Sequence, residues 1–205
     1  MPKIGATTFE KPHVLVVEGP DDFYFVLGLL DAMNIHSVHI VETEGIDNLA
    51  KRLKSISKAP GWSNVKRVGI LVDSDRDPAG RHASIRSALA AASLSVPPAP
   101  EQWEGAGPEV LYSTLPAPAS VGCLESMILE SVPADSHPCI GQFLACAGVA
   151  DDGVSGRYEK ARVHAYIASS TDPGLKVGEA VKAGVIDVSS AAFEPIRGLL
   201  RMLTA

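Results

Sequence analysis

Apolar positions along the chain fall into two patterns. Short continuous runs, Val14-Leu15-Val16-Val17 and Val68-Gly69-Ile70-Leu71-Val72, read as strands buried on both faces, the habit of a parallel sheet. They predict strands over Pro12 to Val17 and Val68 to Val72, with further strands over Val38 to Glu42 and Glu109 to Thr114. Between them, apolar residues recur every three or four positions, the helical period. One helix is expected over Asp21 to Met33, burying Phe23, Val26, Leu27, Leu30 and Met33. A second is expected over Asp47 to Lys58, with Ile46, Leu49, Leu53 and Ile56 inward and Lys51, Arg52 and Lys54 largely outward, and a third over Ala79 to Ala92. Strand–helix alternation of this kind predicts parallel strands joined by right-handed crossovers. Ser93 to Pro108, rich in Pro, Gly, Ala and Ser, reads as a long loop with Trp103 packed down on the domain. After Val132 the period is helical, with candidate helices over Ser136 to Ala147, Arg157 to Ser169, Lys176 to Ala183 and Phe193 to Leu203. The expected organisation is a sheet domain over 10–132 with a helical extension over 133–205 packed on it as one structural unit.

Acids stand where these strands stop. Asp73, Asp75 and Asp77 follow Val68 to Val72 at alternate positions. If the chain stays extended, Asp73 and Asp75 point to the same side. Two such charges repel unless a cation sits between them, and a hard divalent ion with oxygen ligands fits. The same residues also suit an Asx turn or a helix N-cap. The first strand ends in Glu18-Gly19-Pro20-Asp21-Asp22. Gly19 is expected to relieve a tight turn and Pro20 to open the helix. Asp21 and Asp22 gain from the helix dipole, whereas a carboxylate closing a buried strand, as Glu18 does, needs a partner.

Val17-Glu18-Gly-Pro-Asp-Asp22 followed by Val72-Asp73-Ser-Asp75 resembles the Toprim domain, found in topoisomerases, bacterial primases, ribosomal-RNA maturation nucleases and OLD-family nucleases. The small standalone OLD-like Toprim proteins are the most similar. The resemblance covers roughly residues 10 to 130 well and the remainder loosely. It implies a Rossmann-like α/β fold and metal-dependent hydrolysis of phosphodiesters in DNA or RNA. It also implies Mg2+ or Mn2+, as two ions about 4 Å apart, held by Glu18, Asp22, Asp73, Asp75 and Glu125. Glu125 enters through Leu124-Glu125, which such proteins have in the same place. Glu18 is alternatively a general base. Lys160 matches a functional lysine that follows that Glu, and it reads equally as an exposed helical lysine. Arg76 and Arg81, with Arg86 beyond, flank the Asp77-Pro-Ala-Gly80 turn. They are candidate substrate contacts or solvent-facing arginines at a helix start. This reading requires Glu18 to lie near Asp73 and Asp75, with no salt-bridging arginine filling the space between them.

Composition adjusts the picture in three ways. A formal charge of −6 gives no general attraction to nucleic acid, so a nucleic-acid partner rests on the site alone. A non-catalytic metal- or nucleotide-binding Toprim module, acting as a regulatory or defence-system partner, is the alternative; a homodimer and an operon-encoded protein partner are further expectations. The three cysteines, Cys123, Cys139 and Cys146, have no Cys-x-x-Cys spacing and read as reduced thiols of a cytoplasmic protein. The N-terminus carries no long apolar run, so neither a signal peptide nor a membrane span is expected. A phosphatase on another doubly wound fold would want a phosphate-binding glycine loop, and the sequence has none. His36 and His39, three apart, read as surface or core residues rather than ligands.

Overall fold

The computed structural model describes residues 8–132, 138–150 and 156–205. Four strands, β1 (His13–Val17), β2 (Val38–Glu42), β3 (Arg67–Asp73) and β4 (Glu109–Leu115), form one all-parallel sheet in the order β2-β1-β3-β4. Val17 pairs with Glu42 on one side and Leu71 on the other, and Asp73 pairs with Leu115. This is the helix-flanked α/β sheet the apolar runs predict. The chain steps from β1 to β2, then returns past β1 to β3. The order therefore reverses between β1 and β3, and in open α/β sheets the crevice beyond such a switch point is where ligands bind. Glu18 follows β1 and Asp73 ends β3.

Alternate side chains of the central strands build two cores. Val14, Val16, Val68, Ile70 and Val72 face α2 (Leu49–Ile56) and α3 (Pro78–Ala91), whose Leu53, Ile56, Ile85 and Leu89 are fully buried. Leu15, Val17 and Leu71 face the other way. They meet α1 (Pro20–Ala32), α4 (Leu124–Ser131), α6 (Arg157–Ala168), α7 (Val177–Lys182) and α8 (Glu194–Thr204). Each fully buried aliphatic side chain contributes roughly 1.5–3 kcal/mol, so both faces hold the strand ends in place. Between α4 and α6, α5 (Pro138–Cys146) presents Phe143 to solvent.

Several elements depart from the sequence pattern. The buried face of α1 is Phe25, Val26, Gly28, Leu29 and Leu30, while Phe23 and Leu27 are only partly buried. The helix is covered on two sides, by the sheet and by α7, so its apolar stripe is wider than one face of the period. At the α1–α7 crossing Gly28 meets Val181 and Gly178 meets Tyr24 so closely that a Cβ at either glycine would overlap its neighbour. The helix expected from Asp47 begins as a 3-10 turn over Ile46–Asn48, and a second 3-10 turn, Trp62–Asn64, has no counterpart in the pattern. Within the loop after α3, Glu104 bridges antiparallel to Val110 and the Glu101 amide donates to the Tyr112 carbonyl, which covers the β4 edge. Trp103 is half-buried there, with the Arg67 guanidinium over its ring. Residues 136 and 137 of the helix expected from Ser136 lie outside the described residues. Among the described residues no helix is long and apolar enough to cross a membrane.

The α1–α7 contact is expected to be intolerant of bulk. Gly178→Val should destabilise the protein by about 1–3 kcal/mol, lowering Tm by roughly 2–4 °C per kcal/mol for a chain of this size. Gly141→Ala, where nothing lies within 4 Å of an added Cβ, should not lower it. Thermal unfolding of the two variants checks this.

Candidate metal centre

Two N-terminal helix turns and one strand end deliver the acids. Asp22 lies in the first turn of α1, where its Oδ2 accepts the Gly19 amide at 2.9 Å. Gly19 itself is extended, with φ −141°, and an added Cβ would make only ordinary contact. The turn therefore does not need glycine's conformational freedom, contrary to the expectation from sequence. Asp73 closes β3, and its Oδ1 accepts the Leu124 amide at 3.0 Å, capping α4. Glu125 follows Leu124 in that first turn and is 5% exposed.

A hydrogen-bonded clamp joins β3 to α4. The Ser74 hydroxyl donates to the Leu115 carbonyl at 2.6 Å and also contacts the Ser120 carbonyl. Asp75 and Gly122 exchange backbone hydrogen bonds at 2.8 and 2.7 Å. The clamp holds Glu125 over Asp73. It also turns the chain, since Asp75 has φ +48°. Asp73 and Asp75 therefore do not share a side as an extended chain would place them, because the strand ends at Asp73.

The acids divide accordingly. Glu18, Asp22, Asp73 and Glu125 line one cleft of about 190 Å³, together with Asp21, Glu44 and Lys160. Asp75 and Arg76 instead line a neighbouring cavity of about 520 Å³, as does Arg81. Arg81 ion-pairs with Asp75 and reaches Glu18 Oε2 at 3.9 Å. A salt-bridging arginine thus stands between Glu18 and Asp75, the arrangement the metal reading requires to be absent, although it makes no ion pair with Asp73. Arg81, picked out as a substrate contact, is occupied by the protein's own acids.

Lys160 Nζ lies 3.6 Å from Glu125 Oε1. Its pKa is raised, first by Glu125, so it stays protonated. Burial raises Glu18, with Asp75 adding to the effect and Arg81 opposing it. Burial pushes Asp22 up to about 7, helped by Glu125 and Glu18. Burial raises Asp73 well above the usual range, with Asp22 and Glu125 adding to it.

One oxygen from Asp73, one from Glu125 and the Cys123 sulfur lie within 4.8 Å of one another. Two unit charges at that spacing repel by about 3 kcal/mol at an effective dielectric constant near 20. Lys160, 3.6 Å from Glu125, offsets part of that repulsion, and a shared cation would offset more. Glu18 Oε2 is buried without a hydrogen-bond partner. A donor set of carboxylate oxygens with one such oxygen to spare fits a hard divalent ion. Cys123, at the N-cap of α4, was not singled out from the sequence. The only signal is its place two residues before Glu125. Its thiol is pushed up to about 12, chiefly by burial.

A doubly wound parallel sheet with acids gathered at its switch point defines the class: an α/β protein with a carboxylate-lined cleft at the carboxyl ends of β1 and β3. The chain belongs to the family described as "Protein of unknown function (DUF3226)", whose model matches residues 12–205. No curated protein and no solved structure matches it.

The raised carboxylates link stability to pH. Asp22 holds its proton up to about 7 when folded and only to about 3.8 when unfolded. Between those values the folded chain binds more protons than the unfolded chain, so raising the pH destabilises it. In EDTA, Tm should fall from pH 5 to pH 7.5. Mn2+ should restore most of the loss, and Asp22→Asn should flatten the slope. Thermal unfolding across that range checks it.

Proposed function

We propose that this protein is a metal-dependent phosphodiesterase acting on DNA or RNA, with its reaction centre in the cleft between β1, β3 and α4. The convergence of Glu18, Asp22, Asp73 and Glu125 at the sheet's switch point, with Glu18 Oε2 buried without a hydrogen bond and only a 3.9 Å ion pair to Arg81, carries this reading. The sequence resemblance to Toprim nucleases supports it. Asp22, Asp73 and Glu125 would hold a Mg2+ or Mn2+ ion, which supplies charge neutralisation to the phosphoryl oxygens and an acidified water.

The chain's own groups divide the remaining work. Glu18, with its proton affinity raised by burial, accepts the proton of the attacking water. Lys160, held protonated by Glu125, offsets charge on the phosphate. Arg81 sets the basicity of Glu18 and holds Asp75 aside. For Asp75 to serve a second ion, Arg81 must leave it.

A second reading is favoured by that same arginine. Arg81 neutralises Glu18 and Asp75, and Asp73 has a structural role as the cap of α4. A protein with this arrangement can bind an ion or nucleotide without cleaving anything and serve as a regulatory module. Metal binding without cleavage of any nucleic acid would select this reading.

Two experiments bear on the proposal. Supercoiled plasmid and single-stranded RNA, incubated with Mg2+ or Mn2+, should be nicked or cut. Glu18→Gln and Asp73→Asn should each lose about 100-fold or more of the rate, and unchanged rates in both would refute the assignment. In Arg81→Gln the cation that lowers the Glu18 pKa is gone, so the acid limb of the pH–rate profile should move to higher pH. An unmoved limb would mean that Glu18 is not the base.

A further inference from the structure

Among the described residues two buried side-chain polar atoms lack a hydrogen-bond partner: Glu18 Oε2 and Arg52 Nε. The first is an acceptor in the acidic cleft. The second is a donor, and it lies in α2 beside a separate cleft of about 240 Å³ beyond the carboxyl end of β2. We propose that this cleft is an anion site that takes a backbone phosphate of the nucleic-acid strand engaged by the carboxylate centre. The identity of the ligand rests on the nuclease reading. The existence of the anion site rests on the cleft itself.

A guanidinium cannot shed its proton, so an unpaired Nε–H remains a donor at every working pH. Burying it unpaired is costly unless a ligand answers it. Lys51 and Asn48 line the same cleft, with Ser55 one turn further along α2. Among the described residues neither Lys51 nor Arg52 makes an ion pair within 4.0 Å. Two acids also line the cleft, Glu42 and Glu44. Glu42 has its pKa raised, first by burial and then by Glu44, with Arg52 opposing the shift, so an incoming phosphate competes with Glu42 for Arg52.

The cleft adjoins the carboxylate centre. Glu44 lines both. It sits with φ +59°, followed by Gly45 at φ +101°, where a side chain would be strained. The Gly45 amide and the Thr43 hydroxyl both donate to the Glu18 carbonyl, at 3.0 and 3.1 Å. The wall between the clefts is therefore tied to the backbone of Glu18. A strand that lays one phosphate on Arg52 and Lys51 passes over this wall to reach the acids. The pair supplies local positive charge to a chain whose formal charge is −6.

Fluorescence anisotropy with fluorescein-labelled oligothymidylate in EDTA tests the site apart from the metal. Arg52→Gln should weaken binding by roughly tenfold and lower the salt slope by about one. Lys51→Gln, at an exposed position that folding does not depend on, should weaken it by a smaller factor in the same direction. Asp73→Asn should bind as well as the parent or better, while losing cleavage. If the unaltered protein does not bind oligothymidylate, or if both basic variants bind it as tightly as the parent, the phosphate site is overturned. Loss of cleavage in Asp73→Asn would then still support the nuclease reading. Weakened binding in the basic variants with full cleavage in Asp73→Asn supports the anion site and overturns the assignment of cleavage to the carboxylate centre instead.

Discussion

Carboxylates from separate turns share one cleft at the point where the strand order reverses, and their mutual repulsion constrains everything around it. Asp22 comes from the start of α1, Asp73 from the end of β3 and Glu125 from the start of α4. Each position is locally favourable, since a helix N-terminus welcomes negative charge. Together the three are unfavourable: burial first, and the neighbouring acids after it, raise the proton affinities of Asp22 and Asp73. The two cores on either side of the sheet prevent it from being relieved by movement. The clamp from Ser74 and Asp75 to the β4–α4 loop fixes Glu125 against Asp73. Strain of this kind, held in place by well-packed surroundings, is characteristic of functional sites.

The two internal cations complete the balance in different ways. Lys160 comes from α6, in the C-terminal part of the chain, and pairs with the most buried acid. The C-terminal helices thus contribute to the site as well as to the core. Arg81 comes from α3 and spans Glu18 and Asp75 across the switch point. It converts a set of five acids into a cleft of four and an outlying pair. The same guanidinium takes up charge at Glu18 and Asp75 that a cation would otherwise meet.

Much of the architecture was legible in the residue pattern because buried parallel strands leave continuous apolar runs. Val14 to Val17 and Val68 to Val72 could be placed from their composition, and the acids after them followed from where the runs stop. The buried face of α1 was legible only in part, at Val26 and Leu30, because α7 approaches it through Gly28 and Gly178 and no period in α1 announces a partner about 150 residues away in sequence. The separation of Asp75 from Asp73 turned on a single positive φ, which aspartate tolerates without any sequence mark. Arg81 was visible as a residue of interest, but its partners were not, since charge pairing depends on rotamers rather than on spacing. Cys123 went unnoticed for a similar reason: an N-cap cysteine looks like any small buried residue until the helix it caps is set against Asp73.

The central claim is that the acids at the switch point form a divalent-ion site. A crystal grown or soaked with Mn2+ at neutral pH and measured at the manganese absorption edge tests this most directly. An anomalous peak bounded by Asp22, Asp73 and Glu125 is expected, and Asp73→Asn should abolish it. A cleft with no peak, Glu125 still paired with Lys160 and Glu18 with Arg81, would contradict the claim.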